Sequence, residues 1–241
     1  MFNEDRYFDV FVEYAKEGPE DLLVKISAIN RGPDAATIHI LPTIWFRNTW
    51  SWGGGGSKPV VEKVAHSGAS VICARHTDKL FQEGLPDPYY LYCEGDVPLL
   101  FTENETNNER LFSSPNASPH VKDGINNFVV QGATGAVNPA QSGTKAAPHY
   151  VLTVPGGGTS VVRLRLTTTA PTAAPKPFQK FDEVIQERLR EADDFYKSIT
   201  PSKVQADPDR ANVMRQALAG MLWSKQYFYY DLAAWLREHH V

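Results

Sequence analysis

The stretch YFDVFVEYAKEGPEDLLVKISAIN, residues 7–30, decides the fold class of this chain. Apolar and polar side chains alternate from Tyr7 to Ala15 and again from Leu22 to Asn30, and the polar turn KEGPED lies between the two runs. Because side chains of an extended chain point alternately to opposite faces, a period of two indicates a β-strand. The stretch therefore predicts two β-strands joined by a turn.

Further runs of the same kind continue to about residue 170. They are ATIHILPTIWF, ASVICARH, YYLYCEG, PLLFTE, INNFVVQG, APHYVLTV and TSVVRLRLT. Clusters rich in Gly, Pro, Asn and Asp lie between them, for example NRGPDA and VPGGGTS. Many short strands with no helical pattern between them indicate an antiparallel β-sandwich over residues 1–170. We expect this sandwich to be truncated at its N-terminus, because the first strand begins with almost no lead-in.

The periodicity changes near residue 175, after the Pro-rich connector TTTAPTAAPKPF. Residues 171–206 are predicted to form this connector and a linker helix that ends before Pro201. One face of that helix carries an apolar stripe made of Phe178, Phe181, Ile185, Leu189, Ala192, Phe195 and Ile199. Asp207 is placed to cap a second helix with Pro208 at its first position, and this helix is predicted to run to residue 241. The fold class is therefore mainly β with C-terminal helices.

The second predicted helix is apolar on more than one side. One line consists of Met214, Leu218, Met221, Phe228, Leu232 and Trp235, and another of Trp223, Tyr227 and Tyr230. A helix of this kind is normally enclosed by neighbours. Two interpretations remain open: the sandwich and the linker helix cover it, or further helices outside this chain pack against it.

Composition excludes several classes of protein. The formal net charge is -4 and the sequence pI is about 6.0, which gives no general reason to bind nucleic acid or an anionic membrane. No apolar run reaches the roughly 20 residues that cross a bilayer, and MFNEDRYFDV lacks the pattern of a secretory signal, so we expect a cytoplasmic protein. Cys73 and Cys93 lie in strand-like runs and are predicted to be buried free thiols.

Several segments resemble the bacterial branch of glycoside hydrolase family 63, glucosidases related to the processing α-glucosidase of N-glycans. In order along the chain they are NEDRYFDVFVEYAK, LPTIWFRNTWSWG, LLFTENETN, VKDGIN, GTKAAPHY and ALAGMLWSKQYFYYD. In that family a β-sandwich is followed by a linker helix and a catalytic barrel of paired α-helices. The resemblance implies that residues 207–241 are the first helix of an (α/α) barrel whose other helices lie outside this chain.

The resemblance also implies that the chain is inactive by itself. Inverting hydrolysis of an α-glucosidic linkage needs an acid and a base carboxyl group about 6.5–9.5 Å apart. In the family both groups come from the barrel, and no Asp or Glu of this chain matches either, so no catalytic residue is assigned. A second polypeptide that carries the barrel is the implied partner, with an oligosaccharide or glucoside as the substrate.

Substrate contacts are expected from two places. On the terminal helix they are Trp223, Lys225, Gln226 and Tyr229, which could equally be interhelix packing residues. In the loop FTENETNNER they are Glu103, Asn104 and Glu105. This loop could also be a polar turn whose Asn side chains bind their own backbone, or a calcium site, although it lacks the glycine expected of a calcium loop.

The remaining candidates carry less chemistry. Trp45, Trp50 and Trp52 could stack on a sugar ring, or cap the sandwich core, or dock against the barrel. The glycine run GGGG lacks the Lys-Ser or Lys-Thr of a phosphate loop, and no histidine shows zinc spacing, so no metal and no cofactor is predicted. The alternative function is a free-standing β-sandwich module that binds carbohydrate or protein without chemistry.

Overall fold

A computed structural model describes residues 4–52, 57–76, 88–225 and 231–239. The chain divides into two compact units, residues 1–186 and residues 187–241. The first unit holds antiparallel β-sheets and the second is helical, so the predicted class, mainly β with C-terminal helices, is confirmed.

The strands of the first unit have the following bounds. They are β1 (Phe8–Gly18), β2 (Asp21–Asn30), β3 (Ala36–Ile40), β4 (Ile44–Trp45), β5 (Val60–Val64), β6 (Ala69–Arg75), β7 (Tyr89–Glu94), β8 (Leu99–Thr102), β9 (Ser142–Gly143), β10 (Lys145–Pro148), β11 (Tyr150–Val154) and β12 (Thr159–Thr167). The helices are α1 (Asn108–Phe112), α2 (Gly124–Gln131), α3 (Phe181–Ile199), α4 (Ser202–Gln205), α5 (Pro208–Ser224) and α6 (Leu232–Glu238).

The strands form one large sheet and two small ones. The large sheet has the order β1-β2-β12-β7-β6-β5-β9, and the small sheets have the orders β4-β10-β8 and β11-β3. The first two strands form the predicted pair, with Phe8 opposite Asn30 and Lys16 opposite Leu22. The main core joins buried residues of the large sheet, such as Ile72 and Leu164, to Phe101 of β8. Packing of this kind is that of a β-sandwich.

Both cysteines are buried, as predicted, and neither takes part in a disulfide bond. Cys93 lies in the main core, and burial raises the pKa of its thiol well above the usual range. A buried thiol of this kind packs as a small apolar side chain and does not act as a nucleophile at neutral pH.

One predicted strand is a helix. The segment INNFVVQG forms most of α2, because Ile125, Phe128 and Val129 follow the i, i+3, i+4 spacing of a helix and pack around Leu100 and Ala147. The turn into α2 also depends on Gly124, since a Cβ atom there would lie 2.1 Å from the carbonyl oxygen of Ala136. The sequence pattern predicted a strand here, because a segment of eight residues is too short to distinguish the alternation of a strand from the spacing of a helix.

The predicted linker helix is present as α3, and its first turns belong to the first unit. Phe181, Val184 and Ile185 are buried in one cluster with Ala15 and Leu23 of the first two strands. Further along α3 the same stripe is exposed at Leu189, Phe195 and Ile199. The sequence placed these positions on one face correctly, but only the beginning of that face is covered.

Two arginines of β12 fix the start of α3 and the connector before it. The Arg163 guanidinium lies 3.1 Å from the Asp182 carboxylate, and Arg165 donates to Asp21 and to the Pro177 carbonyl oxygen at 2.7 Å. Burial lowers the pKa of Arg163, but its hydrogen bond to Glu94 and the charges of Glu94 and Asp182 raise that pKa overall. The hydrogen bond to Asp21 raises the pKa of Arg165 against the opposing effect of burial.

The prediction of one helix over residues 207–241 is wrong. Asp207 caps α5 as predicted, since its side chain accepts from the backbone N–H groups of Asp209 and Arg210. However, α5 ends at Ser224, because Lys225 has an extended backbone with ψ 110°. A new helix begins after Asp231, which caps it by accepting from the Ala234 N–H group. Phe228, Tyr227 and Tyr230 lie outside the described residues.

Candidate functional site

Two candidate segments that are far apart in the sequence meet at one place. Lys58, which precedes β5, places its Nζ atom 2.9 Å from Glu103 Oε1 and 3.5 Å from Glu105 Oε1. The indole N–H group of Trp50 donates to Glu105 Oε1 at 2.8 Å. We call Trp50, Lys58, Glu103, Glu105 and the buried Thr144 the Lys58 cluster.

The side chains of the Lys58 cluster are engaged in internal contacts. The Thr144 hydroxyl donates to Glu103 Oε2 at 2.8 Å and accepts from the Asn104 N–H group at 2.7 Å. Asn104 in turn donates through its side-chain amide to the Phe46 carbonyl oxygen at 2.9 Å. The Glu103 and Glu105 side chains are only 16% and 12% exposed. The cluster therefore ties the tryptophan-rich segment to the end of β8.

This arrangement does not have the geometry of an inverting glycosidase centre. Both carboxylates contact the same ammonium group, whereas the acid and base of such an enzyme stand on opposite sides of a sugar and a water molecule. Within the described residues no group of three or more His, Cys, Asp and Glu side chains is arranged to hold a metal ion. The roles proposed from the sequence for Glu103, Asn104 and Glu105 thus remain predictions, and their visible contacts are structural.

The asparagine-rich part of the loop follows the polar-turn interpretation. Asn107 caps α1 by accepting from the Arg110 N–H group at 3.1 Å, and Asn116 accepts from the Asn108 N–H group at 2.7 Å. The Asp123 carboxylate receives both the Asn107 side-chain amide and the Arg110 guanidinium at 3.2 Å. These bonds satisfy the backbone N–H groups of Asn108 and Arg110 from within the chain.

Replacing Glu105 with alanine is expected to lower the free energy of unfolding by about 1–3 kcal/mol, because it leaves the half-buried Trp50 N–H group without its acceptor. Urea denaturation measures this change. The matched control is Glu109→Ala, a carboxylate of the same loop that is exposed, where we expect a change within about 0.5 kcal/mol. Equal effects of both substitutions would contradict the structural role of the Lys58 cluster.

Two histidines form a pair that the sequence did not indicate. His39 of β3 and His149, just before β11, lie with Nδ1 and Nε2 2.9 Å apart, a hydrogen bond that needs one shared proton. Partial burial, and then the neighbouring His39, lower the pKa of His149. Phe128 of α2 packs edge-on against the His149 ring.

The free energy of unfolding is expected to decline as the pH falls below about 6.5, the unperturbed pKa of histidine. The His149 pKa is lower in the folded chain than in the unfolded chain, so the unfolded chain takes up the proton first and stability is lost as the pH falls through the folded pKa. His149→Gln should make the pH dependence shallower than in the wild type. Urea denaturation at a series of pH values tests this, and identical curves for His149→Gln and wild type would contradict it.

An apolar groove in the first unit is lined by no carboxylate among the described residues. Its volume is about 520 Å³, and it lies between the large sheet and strands β3 and β4. Val10, Val12 and Tyr14 of β1 line one wall, and His39 is the titratable group on its lining besides Tyr14. A groove of this composition is suited to apolar contacts and not to acid–base chemistry.

The C-terminal candidates do not form a site among the described residues. Trp223 and Lys225 lie at the end of α5 and are exposed, and Gln226 and Tyr229 fall outside the described residues. No residue of α5 is buried. The large apolar side chains exposed between the last turn of α5 and the end of α6, which we call the C-terminal apolar residues, are Met221, Leu222, Trp223, Leu232 and Trp235.

No helix of the described residues combines the length and the apolar character that crossing a membrane requires. The cytoplasmic location, the absence of nucleic-acid binding and the second polypeptide all stay predictions.

Comparisons with known proteins give one relative and a distant structural likeness. No family model matches the chain. The chain is 34% identical over 264 residues to the uncharacterized protein YMR196W of Saccharomyces cerevisiae (strain ATCC 204508 / S288c), and the match covers 96% of this chain. Among solved structures, a polysaccharide lyase matches 72% of this chain and 22% of its own, with a TM-score of 0.43 and 10% identity, a likeness too small to support a conclusion about function. The chain spans 24% of the length of the yeast protein, about a quarter of the curated relative that it matches.

Proposed function

We propose that this chain is the non-catalytic β-sandwich portion, with adjoining helices, of a larger carbohydrate-active enzyme that hydrolyses α-glucosidic linkages. The observation that carries the proposal is the exposure of the C-terminal apolar residues. Trp223 is 79% exposed and Met221 71%, at the end of a helix with no buried residue. Under this proposal they pack against barrel helices that these 241 residues do not include.

The energetics favour a partner for these residues. A large aromatic side chain buries about 150–250 Å² when it is enclosed, and apolar area removed from water stabilises by about 25 cal/mol per Å². Contiguous exposed apolar surface on a protein usually marks an interaction site. The length of the yeast relative is consistent with such a partner, since about three quarters of that protein lies outside the match.

The chemistry of the described residues supports a non-catalytic role. The two close carboxylates of the Lys58 cluster are bridged by an ammonium group, and the apolar groove has no acid lining it. Under the proposal, the sandwich supports the catalytic portion, and the acid and base come from the polypeptide beyond the matched region.

The test is a comparison of glucose release by two proteins. The purified chain and the full-length yeast relative are each incubated with p-nitrophenyl α-glucoside and with α-linked glucose disaccharides. We expect turnover by the yeast protein and none by this chain. Turnover by this chain alone would contradict the assignment of the catalytic groups, and inactivity of the yeast protein on every α-glucoside would contradict the proposed reaction.

A free-standing carbohydrate-binding module is the second candidate, and one observation favours it. Trp45 is 55% exposed and lies directly opposite Lys145 in the ladder between β4 and β10. An exposed indole beside an amine is able to stack on a sugar and to donate to its hydroxyl groups. Calorimetric titration with glucose oligosaccharides decides between the candidates, because only this module predicts binding that Trp45→Ala abolishes.

A further inference from the structure

Strand β1 forms an edge of the large sheet and offers backbone groups along that edge. Among the described strands, β2 is its only neighbour. The Arg31 N–H group donates to the Tyr7 carbonyl oxygen, and Tyr7 is opposite Arg31 in the extended register. Since backbone groups of a strand point alternately to its two sides, those of odd-numbered residues face β2, and those of Val10, Val12 and Tyr14 point to the open edge.

The side chains of these three residues are apolar and accessible. Val10, Val12 and Tyr14 are 48%, 46% and 57% exposed, and all three line the apolar groove. A long edge strand with exposed apolar side chains and free backbone groups is a template for pairing with another strand.

The charged side chains of β1 do not block pairing of another strand with this edge. Asp9 and Glu13 lie on the opposite face of the strand and form ion pairs, Asp9 with Arg31, which follows β2, at 2.7 Å and Glu13 with Lys25 of β2 at 3.0 Å. The irregularity between Lys16 and Gly18 disturbs only the end of the strand. The backbone edge of Val10, Val12 and Tyr14, and the side chains of these residues that line the groove, are therefore accessible to a partner strand.

We propose that β1 pairs with β1 of a second copy of this chain, antiparallel and across a two-fold axis at Val12. Charge excludes two of the alternative registers. Full overlap of the two strands would place Glu13 against Glu13 of the second copy, and an axis at Phe11 would place Asp9 against Glu13 of the second copy. Like charges directly opposite each other destabilise a sheet.

The axis at Val12 avoids both conflicts and matches apolar residues. Val12 lies opposite Val12 of the second copy, and Val10 lies opposite Tyr14 of the second copy, so an apolar row crosses the axis on the groove face. On the other face Glu13 lies opposite Phe11 of the second copy, and Asp9 opposite Ala15. The strand is thus complementary to itself, as a two-fold interface requires. This inference does not depend on the proposed function.

The first test is cross-linking at the axis. Val12→Cys places two thiols on directly opposed residues, whose Cα atoms stand about 5.5 Å apart in such a pair, a spacing that a disulfide spans. Phe11→Cys and Glu13→Cys report the neighbouring registers, and Val161→Cys is the control, an exposed valine of the same sheet outside the groove. Mild oxidation followed by non-reducing electrophoresis should give a dimer chiefly for Val12→Cys. Equal yields from Val12→Cys and Val161→Cys would overturn the proposal.

The second test separates this contact from association through the C-terminal apolar residues. Sedimentation equilibrium is measured in a Trp223→Glu background. Val12→Lys, which opposes two ammonium groups at the axis, should weaken the dimer by about tenfold or more, and Val161→Lys should leave it unchanged. Urea denaturation confirms that each variant is folded. The proposal would be overturned if the Trp223→Glu variant is monomeric at high micromolar concentration, or if its dimer is unaffected by Val12→Lys. A monomer would mean that the partner of this edge is a different polypeptide.

Discussion

Replacing Phe181 with alanine is expected to lower the free energy of unfolding of the β-sandwich by about 3–5 kcal/mol, because the change opens a cavity in a closed cluster. Phe181 is 2% exposed and packs with Leu23 and Ala15 of the large sheet and with Val184 and Ile185 of its own helix. The Arg163 guanidinium also lies over its ring, 5.7 Å from the centroid. Urea denaturation followed by circular dichroism in the β-sheet band measures the change.

The control for this prediction is on the same helix. Phe195 belongs to the same predicted stripe but is 51% exposed and contacts Tyr196 edge-on, so Phe195→Ala should cost less than about 1 kcal/mol. A loss of stability that is as large at Phe195 as at Phe181 would contradict the finding that only the beginning of α3 belongs to the sandwich core.

Ending the chain at Ala206 is expected to raise its limiting soluble concentration several-fold without lowering the stability of the sandwich. The truncation removes α5 and α6, which have no buried residues, and with them the C-terminal apolar residues, whose exposed surface we expect to drive association. Ultracentrifugation and light scattering measure the soluble and associated fractions. Trp223→Glu in the full chain is the matched variant, and it should produce part of the same gain.

An opposite result has a clear meaning. If the truncated chain loses its cooperative unfolding transition, α5 and α6 are needed for the stability of the sandwich. That result would contradict the proposal that they pack against barrel helices outside this chain. If solubility is unchanged by both the truncation and Trp223→Glu, the C-terminal apolar residues do not drive association.

The local pattern of the sequence was sufficient for the elements with strong periodicity. The alternation from Tyr7 to Asn30 predicted the β1–β2 pair, and the Asp207-Pro208 sequence predicted the start of α5, because each signal involves only neighbouring residues. The prediction of a strand at INNFVVQG was wrong because eight residues fit both the strand period and the helix period. Packing of Ile125 and Phe128 against β8 and β10 favours the helix. The aromatic content of residues 220–235 likewise concealed the helix end at Ser224.

The contacts between distant segments could not be predicted from the sequence. Lys58 meets Glu103, and His39 meets His149, only because the sheets bring separate loops and strands together. A sequence pattern carries the types of residues that attract each other but not the register of the sheets that places them. Glu103 and Glu105, which were predicted to contact a substrate, contact Lys58 and Trp50 of the same chain. The spacing of these residues in the sequence did not indicate those contacts.

Complementation between two separated parts of the yeast relative tests whether the β-sandwich portion joins a separate catalytic portion to form an α-glucosidase. The quarter that matches this chain and the remaining three quarters are purified separately and mixed, and glucose release from an α-glucoside is measured together with association by light scattering. We expect that the parts associate, that only the mixture or the remainder turns over substrate, and that glutamate at the position matching Trp223 weakens the association. Turnover by the matched quarter alone, or parts that neither bind nor regain activity, would contradict this expectation.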